Sequence, residues 1–267
     1  RTMADIDGGE IIRDSDGELT GLLKDEAMNP VYAAIPELSP TITDSAVAAA
    51  MRHANSLGIT NVSAVSAGAE IWATERLRAA GMQTIRVSFY PALSNWRMVA
   101  DSMNARGPGD DWIRLAGVKG FVDGSLGSTT AAFFDPYLDE PTSRGLMVTS
   151  EDSLRAWIGG ADSAGVQVVV HAIGDRANAL LLDIFDSVAA ANGERDRRFR
   201  IEHAQHLRQE EIDRMARTGV IASMQPYHAA DDGRWAAKRI REPQLRGTYA
   251  FHSVLEAGGH LMFGSDW

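Results

Sequence analysis

The feature that most restricts how this chain can fold is a repeated alternation of short, β-branched apolar runs with stretches of helical length and period. Runs of the first kind fall at 58–65, 84–93, 113–124, 166–174, 198–205, 220–228 and 260–267. Between them lie segments such as AVAAAMRHANSLG, where Thr43, Asp44 and Ser45 predict a cap and Gly58 a stop, and RQEEIDRMARTG, which ends at Gly219. Seven such strands separated by helices of ordinary length are the signature of a parallel sheet with helical crossovers. VQVVVHAI is apolar on both faces, as a strand covered on both sides should be. A doubly wound open sheet and an eight-stranded barrel both satisfy this pattern. Residues 1–40, rich in Gly, Pro and acidic side chains, show no sustained period and are expected to form an irregular excursion with a short hairpin around RDSDGELTG. Residues 41–267 are expected to form one α/β domain, and at 45% hydrophobic content the chain can furnish its core.

The placement of polar residues favours the barrel, in which functional groups gather at the carboxyl ends of the strands. Lys119 and Asp123 lie in the third run, and His171 is read as closing the fourth, His203 the fifth, His228 the sixth and Asp266 the seventh. One histidine ending a strand is more often a hydrogen-bonded wall residue than a ligand. Two imidazoles and a carboxylate on one rim are the nitrogen and oxygen donors that Zn²⁺ and its neighbours accept. Lys119, within LAGVKGFV, either snorkels to the rim or is buried with a shifted pKa. His53, His206, His252 and His260 are assigned to structure or solvent.

The chain contains no cysteine, which rules out disulfides and thiolate metal sites. Acidic residues outnumber basic ones by 36 to 26, the formal charge is −10, and no basic stripe is present, so nucleic acid and anionic membranes are not expected partners. No apolar run approaches the roughly 18 residues of a spanning helix, and the first residues do not resemble a signal peptide, so a cytoplasmic location is expected.

The motifs GVKGFVDGSLGSTTAAFFDPYLDEP, HAIGDRAN, RIEHAQ, ASMQPYH and FGSDW, in this order, resemble the amidohydrolase superfamily, and within it the YtcJ-like group that includes N-substituted formamide deformylases. The resemblance runs from about Gly8 to Trp267. It implies a TIM-like (β/α)8 barrel holding one or two divalent metals, with zinc the expected element. The metal ligands it implies here are Lys119, His171, His203 and Asp266, with Lys119 carrying a carbamate. An HxH pair on strand 1 belongs to the same pattern and is absent from the sequence, which stops one residue past Asp266. The chain is therefore expected to be an internal fragment, a barrel lacking strand 1 and its end. Thr129 stands where related sequences often have Arg.

The activity these residues imply is hydrolysis of an amide-like, non-peptide C–N bond in a small-molecule substrate. Asp266 is the expected proton acceptor from metal-activated water and His228 the expected donor to the developing oxyanion. Asp175, Glu202 and Gln205 are candidates to orient a ligand imidazole. Asp123 and Ser125 either shape the site or serve turn chemistry. A non-catalytic barrel fragment with a partial metal site and a metal-free isomerase or lyase are the alternatives. Unpaired sheet edges in such a fragment predict a homo-oligomer.

Overall fold

The computed structural model describes residues 4–65 and 68–267. In chain order its first elements are β1 (Gly9–Arg13), β2 (Leu19–Asp25), α1 (Asn29–Ala34), α2 (Pro40–Ser56), β3 (Asn61–Val65), α3 (Ala69–Ala79) and β4 (Arg86–Tyr90). There follow α4 (Trp96–Arg106), β5 (Ile113–Leu115), β6 (Val118–Phe121), α5 (Glu151–Ser163), β7 (Val168–Ala172), α6 (Asp175–Asn192) and β8 (Arg200–His203). The last are α7 (Gln209–Thr218), β9 (Ile221–Met224), α8 (Pro226–Asp232), α9 (Glu242–Arg246), α10 (Phe251–Glu256) and β10 (His260–Phe263). This is an α/β fold with parallel sheets. The strand orders are β3-β4-β5 and β10-β9-β8-β7-β6, with β1 and β2 forming a separate antiparallel hairpin. No helix among the described residues is long and apolar enough to cross a membrane.

The chain divides into two compact units. One comprises Ile35–Gly120 and Trp157–Val169. Its parallel strands β3, β4 and β5 pair in register through Ser63 with Ser88 and Phe89 with Leu115. Met51, Leu77, Ile85, Val87 and Phe89 form its buried core. The other unit comprises Arg1–Ala34, Phe121–Ala156 and Val170–Trp267. Its core gathers Leu126, Ala131, Phe133, Tyr137, Ile173 and Ile240, and Phe185 stacks on Phe199 with ring centroids 4.2 Å apart. In this unit β8, β9 and β10 are parallel neighbours, Ile221 facing Arg200 on one side and His260 on the other.

Several sequence expectations need correction. In the first 40 residues, the first three of which lie outside the described set, the expected hairpin around RDSDGELTG is present, and the short helix α1, which was not expected, follows it. The β1–β2 hairpin turns through Asp14, whose Oδ1 accepts from Asp16 N at 3.0 Å and Glu18 N at 2.9 Å, while Gly17 takes a φ of +83°. Helix α2 starts before the expected cap at 43–45. Ser39 Oγ accepts from Ile42 N, and Pro40 occupies the first turn, where its fixed φ and missing N–H cost nothing. The run 113–124 is two strands. Between them lies Gly117, where an added Cβ would sit 2.5 Å from the Gln167 carbonyl oxygen, so the backbones approach there more closely than a side chain allows. Helix α7 ends as read, with Gly219 at φ +71° donating to Met215 O.

Candidate functional site

The carboxyl ends of β8, β9 and β10 lie side by side, and each delivers one polar group. His203 is the last residue of β8 and is buried. His228 does not close a strand as expected. β9 stops at Met224, and Pro226 opens α8, so His228 sits in the first turn of that helix with its N–H donating to Gln225 O at 3.1 Å. Asp266 follows β10, on a segment tied to the end of β9 by Gly264 N donating to Met224 O at 3.0 Å. One ligand atom from each of His203, His228 and Asp266 lies within 4.8 Å of the others. The His203 and His228 rings are stacked with centroids 6.0 Å apart, and His228 Nε2 is 3.8 Å from Asp266 Oδ2. Asp266 is the most open of the three, its side chain 55% exposed.

His171, near the end of β7, meets His203 edge to face at a centroid distance of 4.5 Å. Its Nε2 lies 3.0 Å from the Gly124 carbonyl oxygen and 3.5 Å from Asp123 Oδ1. Asp123 is fully buried, with Oδ2 accepting from Ala132 N at 2.7 Å and Gly174 N at 2.9 Å, and Oδ1 from Ile173 N at 3.0 Å. Burial pushes its carboxyl up to about 7, against the pull of these N–H donors. One carboxylate thus fastens the loop after β7 to the loop after β6. Ser125 performs turn chemistry, its hydroxyl joining Ser128 and Ser128 joining Thr130 in a chain of short hydrogen bonds. Thr129, at φ +64°, receives Arg239, whose Nη1 also donates to Gly127 O at 2.8 Å.

Lys119 belongs to the other unit, where it is buried in β6 and its N–H donates to Pro91 O at 2.8 Å. Asp175 accepts from Phe134 N at 2.9 Å, Glu202 pairs with Arg200 at 2.6 Å, and Gln205 donates to Asp232 at 2.8 Å. A contact that sequence reasoning missed is Gln225, whose Oε1 lies 2.9 Å from His203 Nδ1. The available signal was a buried amide between the end of a strand and a proline. His203 and Ala204 both have positive φ, +72° and +43°, and Asp266 has +55°. Such backbone strain, on the order of 1–3 kcal/mol per residue, concentrates at functional sites.

Parallel strands whose neighbouring ends converge imidazole and carboxylate groups define the class of α/β proteins that carry their chemistry on one rim of the sheet. The chain belongs to the amidohydrolase family, whose model matches residues 1–267. It is 38% identical to the Arabidopsis thaliana protein LONG AFTER FAR-RED 3 over 97% of its length, and 30% identical over all of it to a Bacillus subtilis protein named "Putative amidohydrolase YtcJ". It spans about half the length of these relatives, 47% and 50% respectively. Among solved structures it is similar to an uncharacterized metal-dependent hydrolase from Pyrococcus horikoshii, with a TM-score of 0.79 and 29% identity over 96% of this chain and 52% of that one. The fold is also shared, at a TM-score of 0.52 and 15% identity over 85% of this chain and 49% of that one, with the zinc-complexed atrazine chlorohydrolase TrzN of Arthrobacter aurescens.

Proposed function

We propose that the protein is a metal-dependent hydrolase of the (β/α) barrel type, acting on amide-like, non-peptide C–N bonds of small molecules. The observation that carries this reading is the convergence of His203, His228 and Asp266 within 4.8 Å. Two imidazoles and a carboxylate, without sulfur, fit a Zn²⁺-like divalent ion in ligand type and number. Such an ion, when bound, lowers the pKa of water and polarises a substrate carbonyl. His203 and His228 would hold it, with His171 beside His203. This moves His228 from oxyanion donor to ligand. Asp266, with its exposed side chain, can take a proton from water and return it to the leaving nitrogen. A carbamate on Lys119 as a further ligand is supported by the family resemblance alone.

Zinc titration of the metal-free chain tests the reading. We expect binding that weakens by more than about 100-fold in His203→Ala and Asp266→Ala, since outer-sphere partners alone are worth 10–100-fold. Failure of the chain to take up zinc, or an affinity unchanged in both variants, overturns it. Release of amine from a panel of formamides and cyclic ureas would then identify the bond class.

A further inference from the structure

We propose that Gln225 is a positioning residue that fixes the tautomer of His203, so that Nε2 is the ring nitrogen offered to a divalent cation. The proposal rests on the metal-centre reading above and adds a requirement to it. A histidine can act as a ligand only through a nitrogen that carries no proton, and the partner of the other nitrogen decides which one that is.

The direction of the Gln225 amide is set by its own surroundings. Gln225 is 3% exposed, and its Nε2 donates to the Ser223 carbonyl oxygen at 3.2 Å. Turning the amide over would set Oε1 against that carbonyl oxygen, two acceptors facing each other in a buried place. Oε1 therefore faces His203 Nδ1, at 2.9 Å, and an amide oxygen can only accept. Nδ1 must carry the proton, which leaves the lone pair on Nε2. An isolated neutral imidazole favours the opposite form, with the proton on Nε2, so the protein imposes this one.

The same residue also serves the second imidazole. Gln225 is the extended residue before Pro226, and its carbonyl oxygen accepts from His228 N in the first turn of α8. Its side chain thus orients one histidine of the cluster while its backbone seats the other. The acceptor is a neutral amide, whereas ligand histidines commonly lean on a carboxylate. An amide withdraws the Nδ1 proton less, leaving the imidazole a weaker donor. It also leaves Asp266 as the one carboxylate among the three clustered groups.

The test uses the metal-free chain labelled with ¹⁵N-histidine. Long-range ¹H–¹⁵N correlation spectra are recorded well above the ordinary imidazole pKa of about 6.5, and the His203 signal is assigned by its loss in His203→Asn. We expect His203 as the Nδ1–H form in the unsubstituted chain and in Gln225→Glu, and as the Nε2–H form in Gln225→Leu. In parallel zinc titrations Gln225→Leu should bind 10–100-fold more weakly, and Gln225→Glu at least as tightly as the unsubstituted chain. An Nε2–H form of His203 in the unsubstituted chain overturns the proposal without any variant having to fold. So does a Gln225→Leu protein with unchanged tautomer and unchanged zinc affinity. An unsubstituted chain with the Nδ1–H form but no zinc uptake would sink the metal-centre reading and leave the hydrogen-bond assignment standing.

Discussion

Asp123→Asn should be among the most costly single-atom changes in this chain, and its cost can be worked from the hydrogen bonds. The carboxylate serves N–H groups from two loops, those of Ala132 and Gly174 on Oδ2 and that of Ile173 on Oδ1. Asparagine retains one oxygen. The better of its two orientations keeps the pair of bonds at the Oδ2 position and points an NH₂ group at the Ile173 N–H, where a donor meets a donor. One net hydrogen bond is lost, worth about 1 kcal/mol, and a buried donor is stranded at about 1–3 kcal/mol more, so the expected destabilisation is about 2–4 kcal/mol. Urea denaturation measures the total, and amide hydrogen exchange at Ala132, Ile173 and Gly174 locates it. The Ile173 amide should lose the most protection. An unchanged urea midpoint together with an Ile173 amide as slow as in the unsubstituted chain would refute the reasoning.

His206 has no exposed surface, and burial pulls its pKa down to about 3. Its Nε2 accepts from Gln205 and its Nδ1 donates to Thr248, so there is no place for a second proton. Because the unfolded chain binds that proton more readily, stability should be full above about pH 6.5 and fall by up to about 1.4 kcal/mol per unit as pH drops towards 3. His206→Gln should flatten this slope in urea midpoints compared between neutral and acid pH, and an unchanged slope would count against it. Gly174→Ala should destabilise by about 3 kcal/mol, because its Cβ would lie 2.0 Å from the Ala132 carbonyl oxygen; a variant melting at the original temperature would show that the loop can give way.

What the sequence made legible was whatever short-range pattern controls. VQVVVHAI reads as a covered strand because apolar residues fall on both of its faces, and β7 is buried throughout. His171 and His203 could be found because a polar side chain at the end of such a run adds nothing to the packing of the strand. His228 was harder: the run towards it is apolar, but Pro226 changes the backbone two residues earlier and turns a strand end into a helix start. The close approach at Gly117 is to a carbonyl 50 positions away, at Gln167, and no local window contains it. Gln225 was passed over for Asp175, Glu202 and Gln205 because nearness in sequence to a ligand is a poor guide to which atom its ring faces. The three acidic or amide side chains nearest in sequence bond to Phe134, Arg200 and Asp232.

The left-handed turn at His203 and Ala204 has a consequence for any shorter piece of this chain. The segment that follows it is pinned by His206 N to Ile173 O, Leu207 N to Gly247 O and Tyr249 N to Gln205 O. Those anchors come from some 30 residues upstream and 40 downstream, and neither alanine nor histidine would choose this conformation by itself. A peptide carrying RIEHAQ alone would relax to an ordinary extended form and swing its imidazole away. The orientation of that ring is a property of the assembled neighbourhood, and it should vanish with the first opening that frees the Leu207–Gly247 clasp.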